Sequence, residues 1–273
     1  MSPPVDRHLP LRHAVALGLL HGPTELLPVS SSAHTTLVPW LAGWPYAQLD
    51  PTARKSFEVA LHAGTAAALL TRPPGIGLGG RLSFLLPALV PAALVGYALG
   101  GQIERRFGTP PTIVAGLLAG SASMAVADRH TGMREANGAN ARDGLALGLA
   151  QAAALIPGVS RSGATIATAR ARGFSRRDAD RLSWRVGLPV IGGATLLKGT
   201  KLAREGVPRE LSLPLAAGAA SAFASALLSA NLLGPRRRAL LLPASVAYRG
   251  VLAMLVVRRM RDNTPHSRLS PRK

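Results

Sequence analysis

A chain of 273 residues, 48% of them apolar and only 16% charged, with a mean hydropathy of +0.22, has the composition of a polytopic membrane protein. Its 32 Lys and Arg against 13 Asp and Glu give a formal charge of +19. These basic residues lie in connectors between apolar runs, where they can meet anionic lipid headgroups, so no nucleic-acid partner is expected. The absence of cysteine excludes structural disulfides and thiolate metal sites.

In chain order, the first apolar stretch, 14–20, is too short to cross a bilayer and is interrupted by Gly22, Pro23 and Pro28. It runs into His21, Pro23 and Glu25 instead of a small-residue cleavage site, so no cleavable signal is expected. Apolar runs at 57–71, 83–100 and 112–127 then approach the ~20 residues a spanning helix needs. A second short stretch, 144–156, is interrupted by Pro157 and Gly158, and runs at 186–199, 211–233 and 239–257 complete the series. The pattern predicts an all-α polytopic membrane protein with about six spanning helices and two re-entrant helical elements. One membrane domain covers 1–273, with a first repeat at about 11–127, a second at about 143–257 and a basic tail at 258–273.

The repeat rests on two matches at nearly one offset. Val29-Ser30-Ser31-Ser32-Ala33 parallels Val159-Ser160-Arg161-Ser162-Gly163, and Ser56-Phe57-Glu58-Val59-Ala60-Leu61 parallels Ser183-Trp184-Arg185-Val186-Gly187-Leu188. Three crossings between the short stretches would make the halves inverted. The Lys and Arg residues divide almost evenly between the two sides of that topology, so charge alone does not orient it. The densest basic run, Arg170, Arg172, Arg176, Arg177, Arg181 and Arg185, reads as a solvated connector at the headgroups in preference to a substrate track.

Polar groups embedded in apolar sequence are costly in hydrocarbon and mark function. Arg161 offers a planar fork of donors suited to phosphate oxygens. With Ser160, Ser162, Gly163 and Thr165 around it, and helix N-terminal amides beyond Gly163, it forms a candidate oxyanion cradle. Serine, glycine and threonine also pack transmembrane helices, and the arginine is what favours an anion. Glu25 supplies an oxygen ligand for a divalent cation or a group to orient water. His34 can carry a proton near neutral pH, and a serine among Ser30, Ser31 and Ser32 could be a nucleophile that it activates. A structural reading, with Glu25 capping the broken helix and His34 at the interface, stands beside this one.

Three stretches resemble the integral-membrane undecaprenyl-diphosphate phosphatase family, also called the bacitracin-resistance family. They are Gly22-Pro23-Thr24-Glu25-Leu26-Leu27-Pro28-Val29-Ser30-Ser31-Ser32-Ala33-His34, then Phe57-Glu58-Val59-Ala60-Leu61-His62-Ala63-Gly64, and then 151–165 with Pro157-Gly158-Val159-Ser160-Arg161-Ser162-Gly163-Ala164-Thr165. Tyr248-Arg249 extends the likeness toward the end of the chain. The resemblance implies hydrolysis of undecaprenyl diphosphate to undecaprenyl phosphate and inorganic phosphate, which recycles the lipid carrier for peptidoglycan and other cell-wall polymers. It implies a multi-pass protein of the bacterial plasma membrane with its site facing outward, and a link to bacitracin resistance. Its partners would be undecaprenyl diphosphate in the bilayer and anionic headgroups, with a homodimer as an open assembly state. Carried over by position, Glu25, Ser31, His34 and Arg161 take catalytic roles, Ser30, Ser160, Ser162, Gly163 and Thr165 bind substrate, and Glu25 binds a divalent Mg²⁺ or Ca²⁺ ion.

One departure bears on that cation. The family's first motif usually carries a second glutamate four residues before Glu25, and here that position is His21. The spacing puts both side chains on one helical face. Imidazole removes a negative charge and a hard oxygen ligand, leaving three readings: His21 becomes the proton carrier and a catalytic residue, the cation is held by Glu25 and substrate alone, or the chain is a weakened lipid-binding paralogue. Arg170 and Arg172 also stand in a region usually less basic, and Arg185 replaces an apolar residue. A lipid-phosphate flippase, built from the same broken helices and anion site, is the alternative from another functional class.

Overall fold

A computed structural model of the chain describes residues 9–71, 82–206 and 209–262. The tail expected at 258–273 therefore lies mostly outside the described residues, which end inside its first turn. Among the described residues there are eleven α-helices and no extended strand. Helices α1 (Leu11–Leu26), α2 (Ser31–Ala42), α3 (Pro51–Thr71), α4 (Leu82–Phe107) and α5 (Pro110–Asp128) make up the first part of the chain. Helices α6 (Ala141–Ala153), α7 (Arg161–Ala171), α8 (Arg176–Glu205), α9 (Arg209–Leu232), α10 (Pro235–Leu240) and α11 (Leu242–Asp262) make up the second.

Each of the six apolar runs falls in a long helix, α3, α4, α5, α8, α9 or α11, although the last run is divided by the turn at Leu241 that separates α10 from α11. Three of them, α4, α5 and α9, are long and apolar enough by composition to cross a membrane. Helices α3 and α8 extend well beyond their apolar runs because they begin with charged turns, Arg54 and Lys55 in one and Arg176 to Arg185 in the other. Leu82, Leu86, Val90, Leu94 and Tyr97 form an exposed stripe along one side of α4. A continuous apolar stripe of that length suits lipid and would be an aggregation hazard in water.

Two helix pairs are broken in the same way. Between α1 and α2, Leu27 turns the chain extended and Ser30 takes φ 73°. Between α6 and α7, Pro157 and Gly158 interrupt the helix and Ser160 takes φ 70°. Among the described residues these two serines are the only non-glycine residues with positive φ. Each such conformation costs about 1–3 kcal/mol. The side chains recover part of it by capping: Ser30 Oγ accepts from Ala33 N at 3.4 Å, and Ser160 Oγ accepts from Gly163 N at 3.2 Å.

The halves interlock through small residues. Helix α1 packs on α9, where a Cβ on Gly18 or Gly22 would run into Gly218 and Ser221 or into Ser225 and Ala226. Helix α6 packs on α4, where Gly144 and Gly148 lie against the backbone of Phe84, Pro87 and Ala88. Such backbone approach is how helices associate where no hydrophobic effect drives them together. The Ser225 hydroxyl adds a bond to the Gly18 carbonyl at 3.0 Å.

The basic run after α7 is less solvated than its sequence suggests. Arg170 is buried and donates to the carbonyls of Phe174, Gly132, Asp128 and His130. Arg172 pairs with Asp143, which also receives Arg134, and Arg176 pairs with Asp128 at 2.6 Å. Two carboxylates, Asp128 and Asp143, and a turn full of carbonyls are close by, and sequence spacing could not show that they converge there.

Candidate functional site

The two breaks meet at one carboxylate. Glu25, on the last turn of α1, is buried; its Oε2 accepts from Ser31 Oγ at 2.6 Å, and its Oε1 accepts from Arg161 Nη2 at 3.1 Å. Ser31 and Arg161 are the first residues of α2 and α7, so equivalent positions in the two broken pairs converge on the same group. This arrangement follows from the local fold, since the strained serine before each of them turns the first helical residue toward the gap.

Arg161 is held on three sides. Its Cζ sits 5.4 Å from the ring centroid of Trp184, a cation–π distance, and a Cβ on Gly187 would collide with its Nη1. Trp184 in turn receives Arg238 on the same terms at 5.4 Å, and Arg238 is fixed by a two-pronged bond to Asp180, 3.2 and 2.9 Å long. Arg161 Nη1 is buried and has no hydrogen-bond partner among the described residues. A guanidinium so positioned, with the two N–H donors of Nη1 unused, suits an anion's oxygens.

The remaining predicted residues divide into those at this carboxylate and those that build the turns. Ser160 caps α7, and its Oγ lies 3.3 Å from Ser162 Oγ, as Ser30 Oγ lies 3.2 Å from Ser32 Oγ. Ser162 also donates to the Leu27 carbonyl at 3.4 Å, tying one break to the other. Thr165 bonds Ser183 at 2.7 Å and the carbonyls of Arg161 and Ser162, and Gly163 supplies the amide that Ser160 accepts. His34 stands apart from Glu25 and Ser31: its Nδ1 bonds the Ser30 carbonyl at 2.7 Å and its Nε2 bonds Tyr248 Oη at 2.8 Å, with the rings stacked. The group that Ser31 touches is Glu25, not His34.

Two residues without an assigned role in the sequence reading are central here. His62, on α3, faces His21 edge-on at 4.6 Å between ring centroids, with its Nδ1 4.0 Å from Glu25 Oε2. His21 is buried and bonds Thr65 Oγ1 through Nδ1 at 2.9 Å. Arg249 is fully buried and donates to the carbonyls of Pro28, Gly158, Val159, Gly116 and Leu117. It therefore satisfies backbone oxygens that both breaks set free, the condition for irregular backbone inside a membrane protein. A lone arginine in the apolar run 239–257 was the available signal for it, as a lone histidine in 57–71 was for His62.

These features define a helical membrane protein with a buried, arginine-containing anion site at the meeting point of two broken helices. Residues 14–72 and 79–255 match the family described as Bacitracin resistance protein BacA, and the chain belongs to that family. It is 41% identical over 243 residues to an undecaprenyl-diphosphatase of Geobacter sulfurreducens, covering 82% of this chain and 88% of that one. It is 39% identical over 226 residues to the undecaprenyl-diphosphatase of Geobacter metallireducens, covering 76% and 82%. It is also 37% identical over 244 residues to the one from Thermomicrobium roseum, covering 79% and 86%.

Proposed function

We infer that this membrane enzyme hydrolyses undecaprenyl diphosphate, adding water across the phosphoanhydride to give undecaprenyl phosphate and inorganic phosphate. The observation that carries the reading is the contact of Glu25 with both Ser31 and Arg161, with Arg161 Nη1 buried and without a hydrogen-bond partner among the described residues. The relatives' shared name agrees with it.

In this reading Arg161 binds the terminal phosphate and stabilises the charge that develops as the phosphoryl group transfers. The α7 N-terminus, opened by Ser160 and Gly163, adds amide dipoles to the same field. Glu25 accepts the proton of the attacking oxygen, which is either the Ser31 hydroxyl or a water held beside it. Attack by Ser31 would form a serine–phosphate bond, break the bridging P–O bond and release the lipid monophosphate, and water would then free inorganic phosphate. Direct attack by water reaches the same products in one step. His34 and Tyr248 form a second polar pair at the start of α2, which positions Ser30 and so the turn that carries Ser31.

The broken helices, each followed by long helices and packed on α9 and α4, support an inverted repeat crossing the plasma membrane about six times. The reading places the site toward the outer face, where the lipid diphosphate is released during wall synthesis. Exposed arginines at the ends of α4 and α11, Arg105, Arg106, Arg258, Arg259 and Arg261, suit anionic headgroups.

A Mg²⁺ or Ca²⁺ ion held by carboxylates does not fit the residues present. Glu25 is the only carboxylate in the cluster with His21 and His62, whereas these hard cations prefer oxygen throughout their shell.

The test is release of inorganic phosphate from a long-chain prenyl diphosphate by purified protein in detergent. Wild type should turn over, while Glu25→Gln and Ser31→Ala should each fall about a hundredfold or more. A phosphorylated Ser31 trapped after acid quench would select the covalent route, and unchanged turnover in Glu25→Gln would overturn the site.

A further inference from the structure

We propose that His21, Glu25 and His62 form a site for a single imidazole-preferring divalent cation of the Zn²⁺ and Co²⁺ class. This deepens the phosphatase reading of the same site and rests on it for any part the ion plays in turnover. Each of the three residues offers one ligand atom, and these atoms all lie within 4.8 Å of one another. Among the described residues no other group of three or more His, Asp and Glu side chains converges in this way. Tetrahedral ligands about 2.0–2.1 Å from one ion stand about 3.4 Å apart, so side-chain movement of about 1.5 Å completes the site.

The donor chemistry decides the class of ion. Two imidazoles and one carboxylate leave coordination positions open, as hydrolytic zinc sites do. Mg²⁺ and Ca²⁺ prefer oxygen throughout their shell, and this cluster offers one carboxylate. Imidazole shifts preference toward ions later in the first transition series.

The surroundings fit a built site. Thr65 Oγ1 bonds Nδ1 of His21 at 2.9 Å, which fixes the ring and leaves Nε2 to face an ion. The side chain of His62 is 38% exposed, which provides an entry path, while His21 and Glu25 are buried. Arg161 lies on the far side of Glu25, bonded to the other carboxylate oxygen. With neutral imidazoles, Glu25 and Arg161 cancel in charge, so a bound dication would leave the site positive by about two charges beside an anionic diphosphate.

The experiment uses the full-length protein in detergent, stripped with chelator and titrated with Co²⁺, read by metal stoichiometry and by the visible ligand-field spectrum. One Co²⁺ per chain is expected, with nitrogen-ligated absorption that survives a hundredfold excess of Mg²⁺ or Ca²⁺ and is displaced by Zn²⁺. His62→Gln should weaken Co²⁺ at least tenfold. His21→Glu, which keeps a ligand but makes it an oxygen, should lower the ratio of Co²⁺ to Mg²⁺ affinity at least tenfold even if His62→Gln folds poorly. Displacement of Co²⁺ by equimolar Mg²⁺, or an unchanged spectrum in both variants, overturns the proposal. Phosphate release separates it from the enzyme reading. Turnover with Mg²⁺ alone and no Co²⁺ site sinks the metal assignment and spares the phosphatase. A sound Co²⁺ site without turnover under any ion does the reverse.

Discussion

The break between α1 and α2 and the break between α6 and α7 have nearly the same backbone and very different chemistry. Each places a serine at positive φ, caps the following helix with it, and sets a second serine two residues on within 3.3 Å. Counted from those serines, Leu155 stands where Glu25 stands, Gln151 where His21 stands, and Ala164 where His34 stands. The acid, the histidines and the serine hydroxyl belong to the first break, and the second contributes a cation at the position of Ser31. The comparison teaches that the fold uses the strained turn in both halves, whereas the acid, the imidazoles and the guanidinium each occur in one half only. Duplicated geometry with divided chemistry is the expected outcome when two equivalent elements face each other across one site.

The sharpest way to break that division is to remove the second half's single contribution. Arg161→Ala should lower phosphate release by about three orders of magnitude or more. Arg161→Lys should recover little, since one ammonium cannot bond Glu25 and a phosphate oxygen in the same fork geometry. Near wild-type turnover in either variant would show that the first break works alone.

Arg249 tests what the two breaks share. Arg249→Met should leave the carbonyls of Pro28, Gly158 and Val159 without their donor, at about 1–3 kcal/mol for each one that finds no water. A fall of many degrees in the detergent melting temperature is expected, together with loss of turnover. Loss of turnover with an unchanged melting temperature would instead assign Arg249 to the chemistry.

Much of this comparison was legible in the sequence. Pro28, Pro157 and Gly158 located both breaks, whereas Pro23, expected to interrupt the helix, stays inside α1; Glu25 and Arg161 stood out because charge is expensive among apolar neighbours, and Ser31 came from the family resemblance. Helix α1 nevertheless continues through His21, Thr24 and Glu25 to Leu26, beyond its apolar stretch, because α9 packs against it and polar residues keep helical geometry on a covered face. What sequence could not show was contact across the chain. His34 meets Tyr248 instead of Ser31, Thr165 meets Ser183 beneath the cradle, and His62 arrives from α3. Arg170, one of a row of similar arginines, turns inward because carbonyls of 128–132 surround it, and no local pattern distinguishes it from Arg177.

A smaller effect is expected at Gly187, which touches no substrate group. Its missing side chain makes room for the Arg161 guanidinium against Trp184. Gly187→Ala should push the guanidinium off its position and cost about tenfold in turnover, since displacement of a positioned group weakens the transition state more than the fold. The melting temperature should change little, because the arginine tip can move where packed backbone cannot. A variant that unfolds would mean that Gly187 serves packing between α7 and α8 instead.

The smallest effects should come from the paired serines themselves, and they test the symmetry most directly. Glycine adopts positive φ without strain, whereas alanine keeps the strain and loses the cap. Ser30→Gly should therefore be more stable than Ser30→Ala by about 1 kcal/mol, and the same difference should appear between Ser160→Gly and Ser160→Ala. Matching stability differences at the two sites, measured by thermal melting in one detergent, would establish that both breaks store equal backbone strain. Activity should separate them, because Ser160 lies beside Arg161, the proposed phosphate ligand, while Ser30 holds the His34 ring through its carbonyl, which glycine retains. Ser160→Gly is expected to lose more turnover than Ser30→Gly. The reverse order would move the anion cradle from the second break to the first.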